Sequence, residues 1–332
     1  MIDYSNRSYT GLHDVAADAL LADALLRIRR DVEAFVAGGG AAKRIISVVM
    51  GGGYARGEGG VRNGHLCNDV DFYTVVEESA SAAEMDAIFK ALEKLAEPYT
   101  AELGAEVEFS YPKRPSRIMH DCRRVMIQEL LRANVHITGK AFSEFAPEFP
   151  PENLPAGEAA RMLMNRGMGL LFASEKMDAD GRVKPEDVDF TRRNINKAVL
   201  GAGDADLIAR REYAWQIQVR AERVGSAAYA EAVAEKFSPQ ENQPDNRRLN
   251  WCAARDLWKE SLAMLRERCG RELGGRSLWE AARWIGRRRT LGRVWSTGKD
   301  CTVRVLDKIA AELEQDRPSP SKSLVRDWQI FN

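Results

Sequence analysis

The amino-acid sequence predicts an α+β protein: a small mixed sheet with helices against it over residues 1–148, then an all-helical bundle over 156–332. Three observations carry that prediction. Short runs of β-branched and aromatic residues occur three times before residue 112, separated by glycine-rich or helical stretches. Four prolines, Pro147, Pro150, Pro151 and Pro155, crowd one short segment, which is where a linker belongs. Beyond them the apolar residues recur almost throughout at helical spacing.

In chain order, Val15, Leu20, Leu21, Leu25, Ile28, Val32 and Phe35 fall close to a helical period, so 13–36 reads as an opening helix stopped by Gly38, Gly39 and Gly40. Arg44-Ile-Ile-Ser-Val-Val-Met50 is apolar without alternation, the mark of a buried strand. It runs into a glycine-rich stretch, 51–60, which with 61–68 reads as a flexible connection. A second strand spans 69–76. A helix capped by Ser79 or Ser81 carries Met85, Ile88, Phe89, Leu92, Leu95 and Leu103, and a third strand covers 106–111. A helix over 125–133 and the apolar Val135-His-Ile137 complete the unit. In the second half, helices fall at 156–177, 186–224 with a break at Gly201-Ala-Gly203, 225–236, 246–269, 276–287 and 303–313, with no repeat of fixed period. Residues 314–325 read as a loose tail, after which Trp328, Ile330 and Phe331 are available to dock back.

Composition narrows the function. Forty-nine Lys and Arg balance forty-nine Asp and Glu, which excludes a polybasic arm, an acidic tail or a disordered chain. Residues 1–150 hold 17 basic and 22 acidic side chains and the remainder 32 and 27, an asymmetry that suits a cleft handling both metal ions and phosphates. The five cysteines are scattered, with no C-x-x-C spacing, so reduced thiols are expected. The start lacks the regions of a signal peptide and no run of eighteen apolar residues occurs, so the expected location is the cytoplasm, with no membrane partner. Four histidines without H-x-x-x-H spacing do not make a zinc site, and oxygen ligands are expected for any metal.

The sharpest constellation is acidic. Asp69-Val-Asp71 lies in an otherwise apolar, β-branched run, and a period of two puts both carboxylates on one face, about 7 Å apart along the strand. Asp is depleted in strands, so two at alternate positions need a reason. Glu106-Val-Glu108 repeats the arrangement. If the two strands are neighbours, three or four carboxylates meet and repel unless cations sit between them, a role that suits Mg²⁺. A solvated face whose acids pair with Lys or Arg is the other reading. Between the first strand and the acidic one, Gly52-Gly53-Tyr54-Ala55-Arg56-Gly57 lets backbone N–H groups approach a ligand, and a helical turn starting there would aim its positive end at phosphates. Arg56 would add a charge-assisted contact. The segment matches neither a Walker loop nor a dinucleotide-binding fingerprint.

Strand, G-[GS]-x-x-x-G, a strand bearing D-x-D, a helix and a strand bearing a third acid together resemble the nucleotidyltransferases related to DNA polymerase beta, in particular bacterial two-domain members with a helical C-terminal domain. The resemblance covers residues 44–110 by motif and 120–140 more loosely, and the helical half shares only the general plan. It implies that Gly52 and Gly53 take the place of the family's Gly-Ser pair, that Asp69 and Asp71 bind metal, and that Glu108 is the third carboxylate, with Glu106 as a spare. The implied cofactor is a pair of Mg²⁺ ions, with Mn²⁺ as a substitute. The implied reaction moves a nucleoside monophosphate from a nucleoside triphosphate, ATP by default, to a hydroxyl of a small-molecule acceptor, with pyrophosphate released. Two departures stand out: Gly53 replaces the usual Ser, and the stretch from Gly53 to Asp69 is longer than in many members. Transfer to a protein or tRNA, synthesis of a short oligonucleotide, and an inactive nucleotide-binding scaffold are the alternatives.

In the helical half, Asn194, Lys197, Gly201 and Asp204 share one helical face, followed by Ile208. Lys197 reaching a triphosphate and Asp204 reading a base or substrate is the functional reading, and an ordinary exposed face is the other. Arg161, Asn165 and Arg166 are further cleft candidates. Trp279, Trp284 and Trp295 around Arg283 and 287–289 mix aromatic and basic side chains, but an amphipathic helix explains them better than a nucleic-acid surface. His65-Leu-Cys67 offers two soft ligands without partners.

Overall fold

A computed structural model describes residues 3–239, 247–274 and 301–331, and divides the chain into two compact units. The first runs through Pro150 and takes in the short segment that begins at Ala234; the second begins at Pro151. The boundary lies inside the proline-rich stretch. The return of the segment from Ala234 to the first unit departs from the expected division, and its cause is local: Lys236 Nζ pairs with the buried Glu58 carboxylate at 2.5 Å, and the Phe237 ring fills the space a side chain at Gly11 would need.

Helix α1 (Val15–Ala37) opens the first unit, capped by the Asp14 side chain. Strand β1 (Ile45–Met50) follows, then a single helical turn, α2 (Gly52–Ala55). The stretch expected to be a flexible connection contains a hairpin, β2 (Val61–Arg62) with β3 (His65–Leu66), closed by Asn63 and Gly64, both at positive φ. Asn-Gly is the preferred tip for such a turn, so this element was written in the chain. Strand β4 (Val70–Val76), helix α3 (Ala82–Leu103), strand β5 (Val107–Phe109), helices α4 (Pro115–His120) and α5 (Val125–Arg132), and strand β6 (Val135–Gly139) complete the unit. The cap of α3 is Ser81, which forms a capping box with Glu84. The apolar segment at 135–137 is thus the start of an edge strand, and the third strand is shorter than 106–111.

The sheet order is β5-β4-β1-β6. β1 is antiparallel to both neighbours, whereas β4 and β5 run parallel. One face carries Val48, Met50, Val70, Phe72, Val107 and Phe109 into a core with α1 and α3, where Phe72 and Phe109 stack at 4.7 Å. The other face is covered in part by a smaller cluster of Val49, Val75, Ile127, Leu130 and Leu131.

The second unit is helical. Helix α6 (Ala156–Glu175) lies against α7 (Val188–Ala209), α10 (Arg247–Gly274) and the helix Cys301–Leu313. Helices α8 (Ile217–Val224) and α9 (Ala227–Phe237) stand between α7 and α10 in the chain. The expected break at Gly201-Ala-Gly203 does not occur. Both glycines lie inside α7, where a Cβ on Gly201 would overlap the Arg166 side chain and one on Gly203 would meet Tyr229. The chain breaks instead over 210–216, with Arg211 at φ +62°. The tail expected to be loose ends in a helix, Lys322–Phe331, whose Trp328 donates to Asn165 Oδ1 at 2.8 Å and meets the ring of Phe172 edge-on. The expected helix over 276–287, with Trp279, Trp284 and Trp295 and their basic neighbours, lies outside the described residues.

Trp251 and Trp258 of α10 are fully buried, and their indole N–H groups donate to the carbonyls of Leu170 and Leu163 on α6 at 2.8 and 2.7 Å. Gly167 makes this approach possible: a Cβ there would fall 2.9 Å from Trp258 and 2.6 Å from Ile309. Gly167→Ala is therefore expected to cost about 1–3 kcal/mol of stability, the usual range for overpacking. A urea titration would show it as a lower midpoint at unchanged slope.

Candidate functional site

The site begins with the β4–β5 pairing. In parallel register Val70 lies opposite Val107, Asp71 opposite Glu108 and Phe72 opposite Phe109. The ladder extends one step before the strands, where the Val70 N–H donates to the Glu106 carbonyl at 2.8 Å, and one step beyond, where the Ser110 N–H donates to the Phe72 carbonyl at 2.7 Å. Since Val70, Phe72, Val107 and Phe109 point into the core, the pleat sends Asp69, Asp71, Glu106 and Glu108 to the other face. Asp71 and Glu108 thus lie level on that face, with Asp69 and Glu106 two residues before them on their own strands. Glu108 is exposed, Asp71 and Asp69 half-buried. Partial burial, and then the negative charges of Glu106, Asp69 and Glu93, push the Glu108 carboxyl above its ordinary range.

The glycine segment is built around Asp71. The Gly51 N–H donates to the Asp71 carbonyl at 2.8 Å, and Gly52 adopts φ +70°, where an added Cβ would overlap Asp71 Oδ2. Only glycine meets both demands. Gly53 differs: a Cβ there would lie 3.6 Å from its nearest neighbour, the Glu58 carbonyl, which is ordinary contact. Tyr54, fully buried, donates its hydroxyl to the Gly60 carbonyl at 3.0 Å and accepts from the N–H groups of Cys67 and Asn68 at 3.1 and 3.3 Å. That hydroxyl ties the glycine turn to the two residues preceding Asp69. Asn68 Oδ1 accepts from the Gly60 N–H, closing the loop a second time.

Arg56, expected to meet a phosphate, stands in a carboxylate network. Its Nε is 3.1 Å from Glu58 and an Nη 2.9 Å from Glu129 of α5. Glu58 is 3% exposed and shared with Lys236, so Arg56 braces the turn from below. Burial is the main reason the Tyr73 phenol is pushed up, with Asp71, Glu129 and Glu108 adding to it and Arg56 opposing. Tyr73 also lies under Lys113, whose Nζ is 5.4 Å from the ring centroid. Burial lowers the Lys113 ammonium, partly offset by Asp121. Lys113 was not evident from sequence. Its one signal is that it follows β5 closely, and the structure bridges it to Val75.

Lys197 and Asp204 belong to the second unit. Lys197 is exposed on α7, while Asp204 accepts from the Tyr229 hydroxyl at 2.6 Å and pairs with Arg220 Nε at 3.0 Å. Among the described residues no three His, Cys, Asp or Glu side chains are gathered to hold a metal ion. Asp69, Asp71 and Glu108 therefore share a face without closing into a cage. The donor set, all carboxylate oxygen, is that of a hard divalent cation. Cys67 directs its thiol to the His65 carbonyl, and Cys122, Cys252 and Cys269 are free thiols. No helix among the described residues is long and apolar enough to cross a membrane.

Comparison with protein-family models, with curated proteins and with solved structures gave no match to this chain.

Two outcomes test this geometry. Tyr54→Phe leaves two N–H groups without their acceptor, and a loss of about 1–3 kcal/mol is expected, with faster hydrogen exchange at Cys67 and Asn68 than at β1. For Glu108, the folded chain binds the carboxyl proton more tightly than the unfolded chain does. Its contribution therefore favours folding below the ordinary Glu range and is lost as pH rises through the raised value. Glu108→Gln removes the charge, so it is expected to melt above the wild type at neutral pH, with the gap closing below pH about 4.3.

Proposed function

We propose that the first unit is a metal-dependent nucleotidyltransferase that moves a nucleoside monophosphate from a nucleoside triphosphate to a hydroxyl of a small-molecule acceptor. The observation that supports this reading above all is the pairing of Asp71 with Glu108, with Asp69 and Glu106 two residues before them, beside a glycine turn in which the Asp71 carboxylate occupies the space a side chain at Gly52 would need. Asp69, Asp71 and Glu108 would hold Mg²⁺, or Mn²⁺ in its place. When bound, the ions would neutralise the triphosphate and lower the pKa of the attacking hydroxyl. Gly52, next to Asp71, and Gly53 after it leave bare backbone, so phosphate oxygens would reach N–H groups that a side chain would screen. Glu108, whose proton affinity burial and like charges raise, is suited to take the hydroxyl proton. The acceptor oxygen then bonds to the α-phosphorus, the bond to the β-phosphate oxygen breaks, and pyrophosphate leaves. Arg56, Tyr54 and Asn68 fix the turn and the approach to Asp69. ATP is the default donor, and free thiols fit a reducing cytoplasm. Near-zero net charge favours a small acceptor over a nucleic acid.

A second reading, a nucleotide-binding scaffold without catalysis, draws on Gly53 and on the open arrangement of the carboxylates. Calorimetry with each nucleoside triphosphate, with and without Mg²⁺, separates the two. Metal-dependent binding by the wild type, lost in Asp69→Asn with Asp71→Asn, together with pyrophosphate release, is expected. Equal binding by both proteins would sink the transferase reading. Because a Cβ at Gly53 would make only ordinary contact, Gly53→Ser is expected to fold normally and tighten triphosphate binding about tenfold or more, by one hydrogen bond to a charged group.

A further inference from the structure

The polar face of α7 has a charged neighbour. Arg166 of α6 lays its side chain across Gly201, where an added Cβ would overlap its Cγ and come within 3.2 Å of Cδ and 3.3 Å of Nε. Only glycine leaves that path open. One turn on, Asp204 is the carboxylate that acts on the guanidinium, and it is already engaged. The Tyr229 hydroxyl and Arg220 Nε both take its Oδ1. Arg220 is buried and directs another nitrogen to the carbonyls of Ala214 and Trp215 at 3.0 and 2.8 Å. Tyr229, pushed up by burial and by Asp204, stays a neutral donor. Asp204 is thus the carboxylate that acts on both Arg166 and Arg220.

A charge taken out of water is costly unless acceptors or counter-charges surround it. Burial pulls the Arg166 guanidinium below the ordinary arginine range, and Asp204 offsets this only in part. Among the described residues its nitrogens have no hydrogen-bond partner, yet none is sealed from solvent, and the residue is half-buried. A charged fork that is desolvated, reachable and short of acceptors is a receptor for a planar or tetrahedral oxyanion.

We infer that the helical unit carries an oxyanion-binding recess at Arg166, walled by Gly201 and backed by the Asp204–Arg220–Tyr229 cluster, which takes a phosphate or carboxylate group of a small-molecule ligand. The residues named for the recess lie on α6, α7, α8 and α9, so it stands whether or not the acidic face of the first unit transfers nucleotides.

The test titrates the full chain, free of divalent metal, with inorganic tripolyphosphate in one arm and citrate in the other, following heat and melting temperature. Saturable binding that weakens about tenfold or more in Arg166→Gln is expected, as for loss of a charge-assisted pair. Arg166→Lys, which keeps the charge but not the fork, falls between, and Asp69→Asn with Asp71→Asn binds as the wild type does. Preference for tripolyphosphate marks the ligand as phosphate-bearing, preference for citrate as carboxylate-bearing. Without anion, Arg166→Gln is expected to melt no lower than the wild type, because it sheds a desolvated charge that Asp204 offsets only in part. Equal binding by wild type and Arg166→Gln, or binding of neither anion, overturns the recess. An Arg166→Gln chain that melts lower or fails to fold overturns it too, since Arg166 would then be a structural residue.

Discussion

The parallel pairing of β4 with β5 sets Asp71 level with Glu108, and everything at the acidic face follows from that register. Like charges side by side repel, so the pairing must be held from elsewhere. It is held by the opposite face of the same two strands, where Val70, Phe72, Val107 and Phe109 are buried and two rings stack. A slip of one residue would send the carboxylates into the core and the phenylalanines into water, which no solvation would offset. The repulsion is thus an imposed condition, offset by burial on the opposite face of the same strands.

The same logic explains what was legible in the chain. Asp69 and Asp71 stood out because Asp is rare in an apolar strand, and Glu106 and Glu108 because they repeat the spacing. Their meeting on one face required the strands to be neighbours, which the β4–β5 ladder provides. The hairpin at Asn63 and Gly64 carries a strong local signal that was swamped by the surrounding glycines. Residues whose role is tertiary gave no signal. Arg56 reads as a phosphate ligand from its place after a glycine turn, while its ion pairs with Glu58 and Glu129, and the Lys236 that shares Glu58, join positions scattered through the sequence. The glycines at 201 and 203 looked like a helix break because propensity alone was visible, and close packing against Arg166 and Tyr229 overrides it.

The helical unit solves a different problem with the same residue. Helix α6 is buried over most of its length, and a helix so enclosed must let its neighbours come close. Gly167 admits Trp258 and Ile309, Gly169 admits Asn194, and on the facing helix Gly201 admits Arg166. These glycines cost helix propensity and gain contact area, so their positions mark where the bundle is tightest. The polar cluster around Asp204 lies at one of those points, which fixes its arginines by packing as well as by charge.

The Tyr54 hydroxyl has a further consequence for how this loop tolerates change. It clamps the base of the β2–β3 hairpin, gripping Gly60 on one side and Cys67 and Asn68 on the other. The hairpin tip at Asn63 and Gly64 therefore projects from a base whose two ends are already joined. Residues added at the tip would lengthen the finger without altering the distance between the glycine turn and Asp69. The clamp works as a length buffer, so this loop is free to grow or shrink over evolutionary time, or to accept an inserted peptide, while the carboxylate beyond it keeps its place.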